Sequence, residues 1–141
     1  MSFVLDNSVA MRWCFDNATH PYAEAILGRL AAGENAVVPV LWFYEASAVI
    51  ARAQNRGTLA LAAARAFIVE LQSLDIRADE ESATRILTDV HGLALTHGLT
   101  SYDAAYLEVA LRRNLPLAAR RRFGAGKQER RRYGARGIAR T

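Results

Sequence analysis

Four short apolar runs separated by long helical patterns decide what this chain can fold into. The runs are FVLD (3–6), AVVP (36–39), SLDIRA (73–78) and LPLAA (115–119). Between them the apolar spacing predicts helices over about 8–15, 20–32, 41–55, 60–72, 80–97 and 102–114. Strands alternating with helices imply βαβ units and a parallel sheet covered on both faces. Short, continuously apolar strands suit such a sheet, because neither of its faces meets water. The expectation is one α/β domain over residues 1–119, a three-layer α/β/α arrangement with a short parallel sheet and no internal repeat or linker. Ligands of such sheets bind beyond the carboxyl ends of the strands, so the chemistry is sought at strand-to-helix junctions.

Charge divides the chain at the same boundary. Residues 1–119 carry nine bases against thirteen acids, and residues 120–141 nine bases against one, so a body of net −4 is followed by a tail of net +8. No apolar run of 18 residues occurs, so no membrane span is expected. The start, MSFVLDNSV, has no cationic segment and carries an acid at position 6, so it does not read as a signal peptide. A single cysteine, Cys14, excludes an internal disulfide framework and fits a reducing cytoplasm.

Most of the thirteen body acids read as solvated charge. Asp79, Glu80 and Glu81 cluster at an expected helix start, where the dipole favours acids. On the 80–97 helix the apolar stripe is Ala83, Ile86, Leu87, Val90 and Ala94, with Asp89 off it beside Arg85. Three acids break the pattern. Asp6 ends the central-strand run FVL. Glu45 is the only charge on the stripe Trp42, Ala46, Val49, Ile50 and Ala53. Asp103 is the only charge on the stripe Tyr106, Leu107, Ala110 and Leu111, from which Glu108 and Arg112 point away.

Two of the three have an ordinary alternative to weigh. Asp6 or Ser8 caps a helix, and Asp103 sits in a first helical turn, where acids are common. Glu45 has no capping role. Three carboxylates converging at one sheet edge repel each other, and burying one costs several kcal/mol without a compensating cation (roughly, as for any buried ion). A divalent cation resolves both problems, and oxygen-only ligation by a few carboxylates is the pattern of Mg2+ or Mn2+.

Other chemistries lack their motifs. His91 and His97 are six apart, which matches neither a helical zinc pair nor a finger. No G-x-S-x-G elbow occurs, and GAGK (124–127) has neither the spacing nor the context of a phosphate loop. A phosphatase-like Mg2+ hydrolase is disfavoured because D-x-D-x-T is absent. Trp13, Trp42, Phe43 and Tyr44 read mostly as core, with some available to a partner surface.

FVLDNSV, PVLWFYEASAVI around Glu45, and above all HGLTSYDAAYLEVALRRNLPLA together resemble a PIN-domain ribonuclease. Within that superfamily the chain is most similar to the VapC toxins of VapBC toxin–antitoxin pairs. The resemblance runs from Phe3 to about Ala119. It implies Mg2+-dependent endonucleolytic cleavage of RNA, with family carboxylates at Asp6, Glu45 and Asp103. It also implies a homodimer, neutralisation by a small VapB-like antitoxin, and structured substrates such as tRNA or rRNA loops.

Beyond Ala119 the resemblance stops. The family pattern continues into Thr-x-Asp, a helix and a last strand, whereas this chain reads ARRRFGAG, with Arg121 near the position of the fourth acid. The C-terminal helix and strand are therefore expected to be altered or missing. Two origins fit the Arg/Gly-rich segment 120–141: a frameshift, or a basic arm contacting phosphates, with Phe123 and Tyr133 stacking on bases. The alternative to an active nuclease is a catalytically impaired PIN module that binds antitoxin or RNA without cleaving.

Overall fold

The computed structural model describes residues 1–15 and 20–119. The expected tail, with Arg121 and any altered terminal helix and strand, lies outside the described residues. Four strands form one wholly parallel sheet: β1 (Ser2–Leu5), β2 (Asn35–Val38), β3 (Ile76–Ala78) and β4 (Leu117–Ala118), in the order β3-β2-β1-β4. Val4 is the pivot of the register, facing Val37 on one side and Leu117 on the other. The apolar runs are strands for the expected reason: Phe3, Val4, Leu5 and Val38 are completely buried.

Among the described residues six α-helices connect and cover the strands: α1 (Asn7–Phe15), α2 (Pro21–Ala31), α3 (Leu41–Asn55), α4 (Leu61–Ser73), α5 (His91–His97) and α6 (Ser101–Arg113). Parallel strands are joined by right-handed crossovers, so the direction of travel across the sheet decides which face a helix covers. From β1 to β2 to β3 the chain moves one way. From β3 it returns over two strands to β4, and α5 and α6 therefore cover the opposite face, giving the three-layer α/β/α fold. The reversal falls between β1 and β4. The carboxyl ends of these two strands are the switch point, the place where such sheets hold ligands.

α6 is the most enclosed helix. Thr100 accepts the Asp103 N–H at its start, and Asn114 ends it in the left-handed conformation at φ 54°. From Ala104 to Ala110 every residue is buried. That includes Glu108, which the apolar pattern placed away from the core. Its compensation is Arg112, whose Nε donates to Glu108 Oε1 at 2.6 Å.

Arg112 also donates through Nη2 to Asp79 Oδ1 at 2.7 Å, and Arg113 donates to Asp79 Oδ2 at 3.1 Å. Asp79 is therefore not the solvated acid the charge cluster suggested; it is buried just beyond β3. Burial pushes its carboxyl up, but hydrogen bonds and charge from the two arginines outweigh this and leave it below its usual range. The sequence pattern misses this pair because strand end and helix end are more than thirty residues apart.

The helix expected over 80–97 is also not uniform. A 3-10 turn (Ser82–Arg85) and a π turn (Ile86–Val90) precede α5. The π turn inserts an extra residue and resets the face. Val90 and Ala94 stay on the packed side, whereas Ile86 and Leu87 are exposed, Leu87 at 87%. Asp89 does lie off the packed side, paired with Arg85 at 2.7 Å. The run 73–78 is likewise shorter than expected as a strand, because α4 continues through Ser73.

Candidate active site

Asp6 is the first residue after β1, and it is 5% exposed. Its backbone N–H donates to Ala118 O at 2.9 Å, which ties it to the end of β4 on the other side of the switch point. Its carboxylate receives two donors from Ser8: Oγ to Oδ2 at 2.8 Å and the backbone N–H to Oδ1 at 3.4 Å. Capping and fixation by the Ser8 hydroxyl are thus combined in one short loop. A carboxylate that accepts such bonds is favoured in its charged form.

Glu45 is half-buried on the second turn of α3, between the buried Trp42 and the half-buried Val49. Its Oε1 accepts a 2.5 Å hydrogen bond from the Tyr106 hydroxyl on α6. Tyr106 also lies in the field of Asp6 and takes a backbone hydrogen bond from Asn7. The Asn7 side chain in turn donates from Nδ2 to Trp42 O at 3.3 Å, joining the start of α1 to the start of α3. Asp6 and Glu45, distant in sequence, are therefore brought together around one phenol.

Asp103 stands one turn before Tyr106 on the same helix. It is half-buried, and its backbone N–H donates to Thr100 Oγ1 at 3.1 Å. The topology puts all three acids at the carboxyl edge of the sheet, yet not as a preformed shell. Among the described residues no three His, Cys, Asp or Glu side chains are gathered to hold a metal ion. The donor chemistry nevertheless fits a hard divalent cation. The acids offer oxygen only, and Mg2+ keeps several waters and needs only one or two carboxylates directly.

Two further groups border Asp6 without having been singled out by pattern. Burial pushes the Tyr22 hydroxyl up to about 12; the Asp6 charge adds to this, while an Ala119 backbone hydrogen bond and the Arg29 charge oppose it. Tyr106 looked like one more apolar stripe residue. The signal for its role was available, since a buried tyrosine rather than a phenylalanine implies a partner for its hydroxyl. His20 stands at the start of α2, and His91 and His97 begin and end α5; Arg12 Nη1 lies 3.0 Å from His20 Nε2.

Of the aromatics, Trp42 is core, whereas Phe43 and Tyr44 are exposed beside it. No helix among the described residues is long and apolar enough to cross a membrane. Compared with known proteins, the chain matches the PIN domain family model over residues 3–121. No individually curated protein matches its sequence.

Proposed function

The chain belongs to the PIN-domain family, whose members are typically metal-dependent nucleases, and on that premise we propose that it is a Mg2+- or Mn2+-dependent endoribonuclease. The observation that carries this reading is the meeting of Asp6 and Glu45 around Tyr106, outside the β1–β4 switch point. The biological setting we propose is a VapC-like toxin, kept in check by a small VapB-like antitoxin, acting as a cytoplasmic homodimer on structured RNA of the tRNA or rRNA class. The sequence likeness of LTSYDAAYLEVA to such toxins supports that setting.

In this proposal Asp6 and Asp103 would hold the cation, and Glu45 would complete its shell. When bound, the cation supplies a water of lowered pKa and neutralises charge developing on the phosphate. The chain's own residues do the rest. Ser8 aims the Asp6 carboxylate, Tyr106 does the same for Glu45, and Thr100 fixes the first turn that carries Asp103. Attack by water, with no part for the 2′-hydroxyl, leaves a 5′-phosphate and a 3′-hydroxyl. The test is cleavage of total tRNA by the purified chain with and without Mg2+; undiminished Mg2+-dependent cleavage by Asp6→Asn would overturn the assignment.

A second reading is supported by the sequence after Ala119, ARRRFGAG, which puts an arginine near the place where the resemblance implies a fourth acid. In it the domain binds antitoxin or RNA without cleaving. Toxicity on expression that survives Asp103→Ala would favour this reading; toxicity that vanishes would favour the nuclease.

A further inference from the structure

Tyr106 is 1% exposed, and in so apolar a position a phenylalanine would pack as well. The hydroxyl therefore needs an explanation, because burying it costs free energy unless it is hydrogen-bonded. Its partner is Glu45 Oε1 on a different helix, at 2.5 Å. The Tyr106 hydroxyl oxygen itself accepts a backbone hydrogen bond from Asn7, the residue next to Asp6. Asn7 also grips α3 through Trp42 O. The β1 end and the Glu45 turn are thus joined by two struts, of which one ends on the carboxylate itself.

The chemistry of the strut has one direction. A phenol is protonated at neutral pH and a carboxylate oxygen only accepts, so Tyr106 donates. A fixed donor on Oε1 holds the side chain in place. Residues that orient a metal-holding group in this way set affinity as strongly as many ligands do.

We infer, building on the metal-dependent nuclease reading above, that Tyr106 is a positioning residue whose hydroxyl holds Glu45 in place beside Asp6 for the divalent cation. Its hydroxyl, and not its ring, then governs how tightly the cation is held.

The test compares the full chain with Tyr106→Phe, Glu45→Gln and the double variant. Three measurements are made: Mn2+ binding by water-proton relaxation, the Mg2+ dependence of RNA cleavage, and thermal unfolding. Tyr106→Phe is expected to fold, to bind Mn2+ about 10-fold more weakly, and to need about 10-fold more Mg2+ for half-maximal cleavage. Cleavage at saturating Mg2+ falls less than this. In the Glu45→Gln background the same change has no further effect on Mn2+ binding, because the two residues act as one unit.

Mn2+ binding by Tyr106→Phe equal to that of the unaltered chain overturns the inference. So does an equal loss in both backgrounds, which would assign the effect to ring packing. Should Tyr106→Phe not fold, Tyr106→His and Tyr106→Met replace it: tighter Mn2+ binding by the donor-bearing histidine supports the inference, and equal binding overturns it. An unaltered chain that neither binds Mn2+ nor cleaves RNA removes the nuclease reading as well, which separates the two failures.

Discussion

Ser8 Oγ lies 2.8 Å from Asp6 Oδ2, so the acid at the end of the central strand is held by the residue two positions on. That bond orients the carboxylate before anything binds to it. Ser8→Ala is expected to lower Mg2+-dependent cleavage about 10-fold, as loss of an orienting partner does. Asp6→Asn should lower it by on the order of 100-fold or more, since in the proposed mechanism it removes a charge aimed at the reacting centre. Single-turnover cleavage measured beside thermal unfolding checks both, and equal losses would show that Ser8 does more than orient.

Cation binding should also be visible without any substrate. A ligand that binds only the folded chain stabilises it, by about 1.4 kcal/mol at a concentration ten times its Kd. Mg2+ or Mn2+ is therefore expected to raise the melting temperature of the unaltered chain, and EDTA to reverse the rise. Asp6→Asn should show little of it. Differential scanning fluorimetry with Ca2+ as the comparison ion makes the measurement.

Asp79 supplies a pH dependence whose sign can be worked out. Its folded-state pKa is lowered by Arg112 and Arg113, so its contribution to stability is present above the unfolded pKa, near 4. That contribution is lost as pH falls through the lower folded value. Asp79→Asn should destabilise the protein by about 2 kcal/mol at pH 7, as expected for breaking a largely buried ion pair in which Arg112 keeps Glu108. Urea unfolding from pH 7 to pH 3 should show the gap between variant and unaltered chain closing below about pH 4.

The π turn before α5 separates two residues that a uniform helix would bury together. Leu87→Ala is expected to change stability by less than about 0.5 kcal/mol, because the side chain is in solvent. Val90→Ala should cost about 1–2 kcal/mol, because Val90 packs with Ala104 and Ala105. Similar losses for the two would mean that the stripe runs straight through.

Local signals carried the architecture a long way. The apolar runs became strands; β1, inside the sheet, shows burial on both faces in three consecutive fully buried residues, whereas the edge strand β3 leaves Arg77 and Ala78 exposed. Asp6 and Glu45 stood out because a charge on an apolar face must be compensated, and both are compensated by neighbours the fold supplies. Asp79 and Glu108 escaped notice for the opposite reason. Their partner, Arg112, makes sense only once the end of α6 lies against the end of β3, and no spacing within one element encodes that. The break at 82–90 was equally hidden, since Ile86 and Leu87 continue a helical period that the backbone abandons.

The order of strands also sets a schedule for synthesis. β1 is made first but sits inside the sheet, and one of its two neighbours, β4, is among the last of the described residues to be made. Until Leu117 and Ala118 leave the ribosome, the Asp6 N–H lacks the carbonyl that anchors it and β1 has one edge uncovered. Pairings this distant in sequence form late and slowly. A nascent chain therefore carries Asp6 and Glu45 well before it carries Tyr106 and Ala118, the groups that hold them in the folded protein.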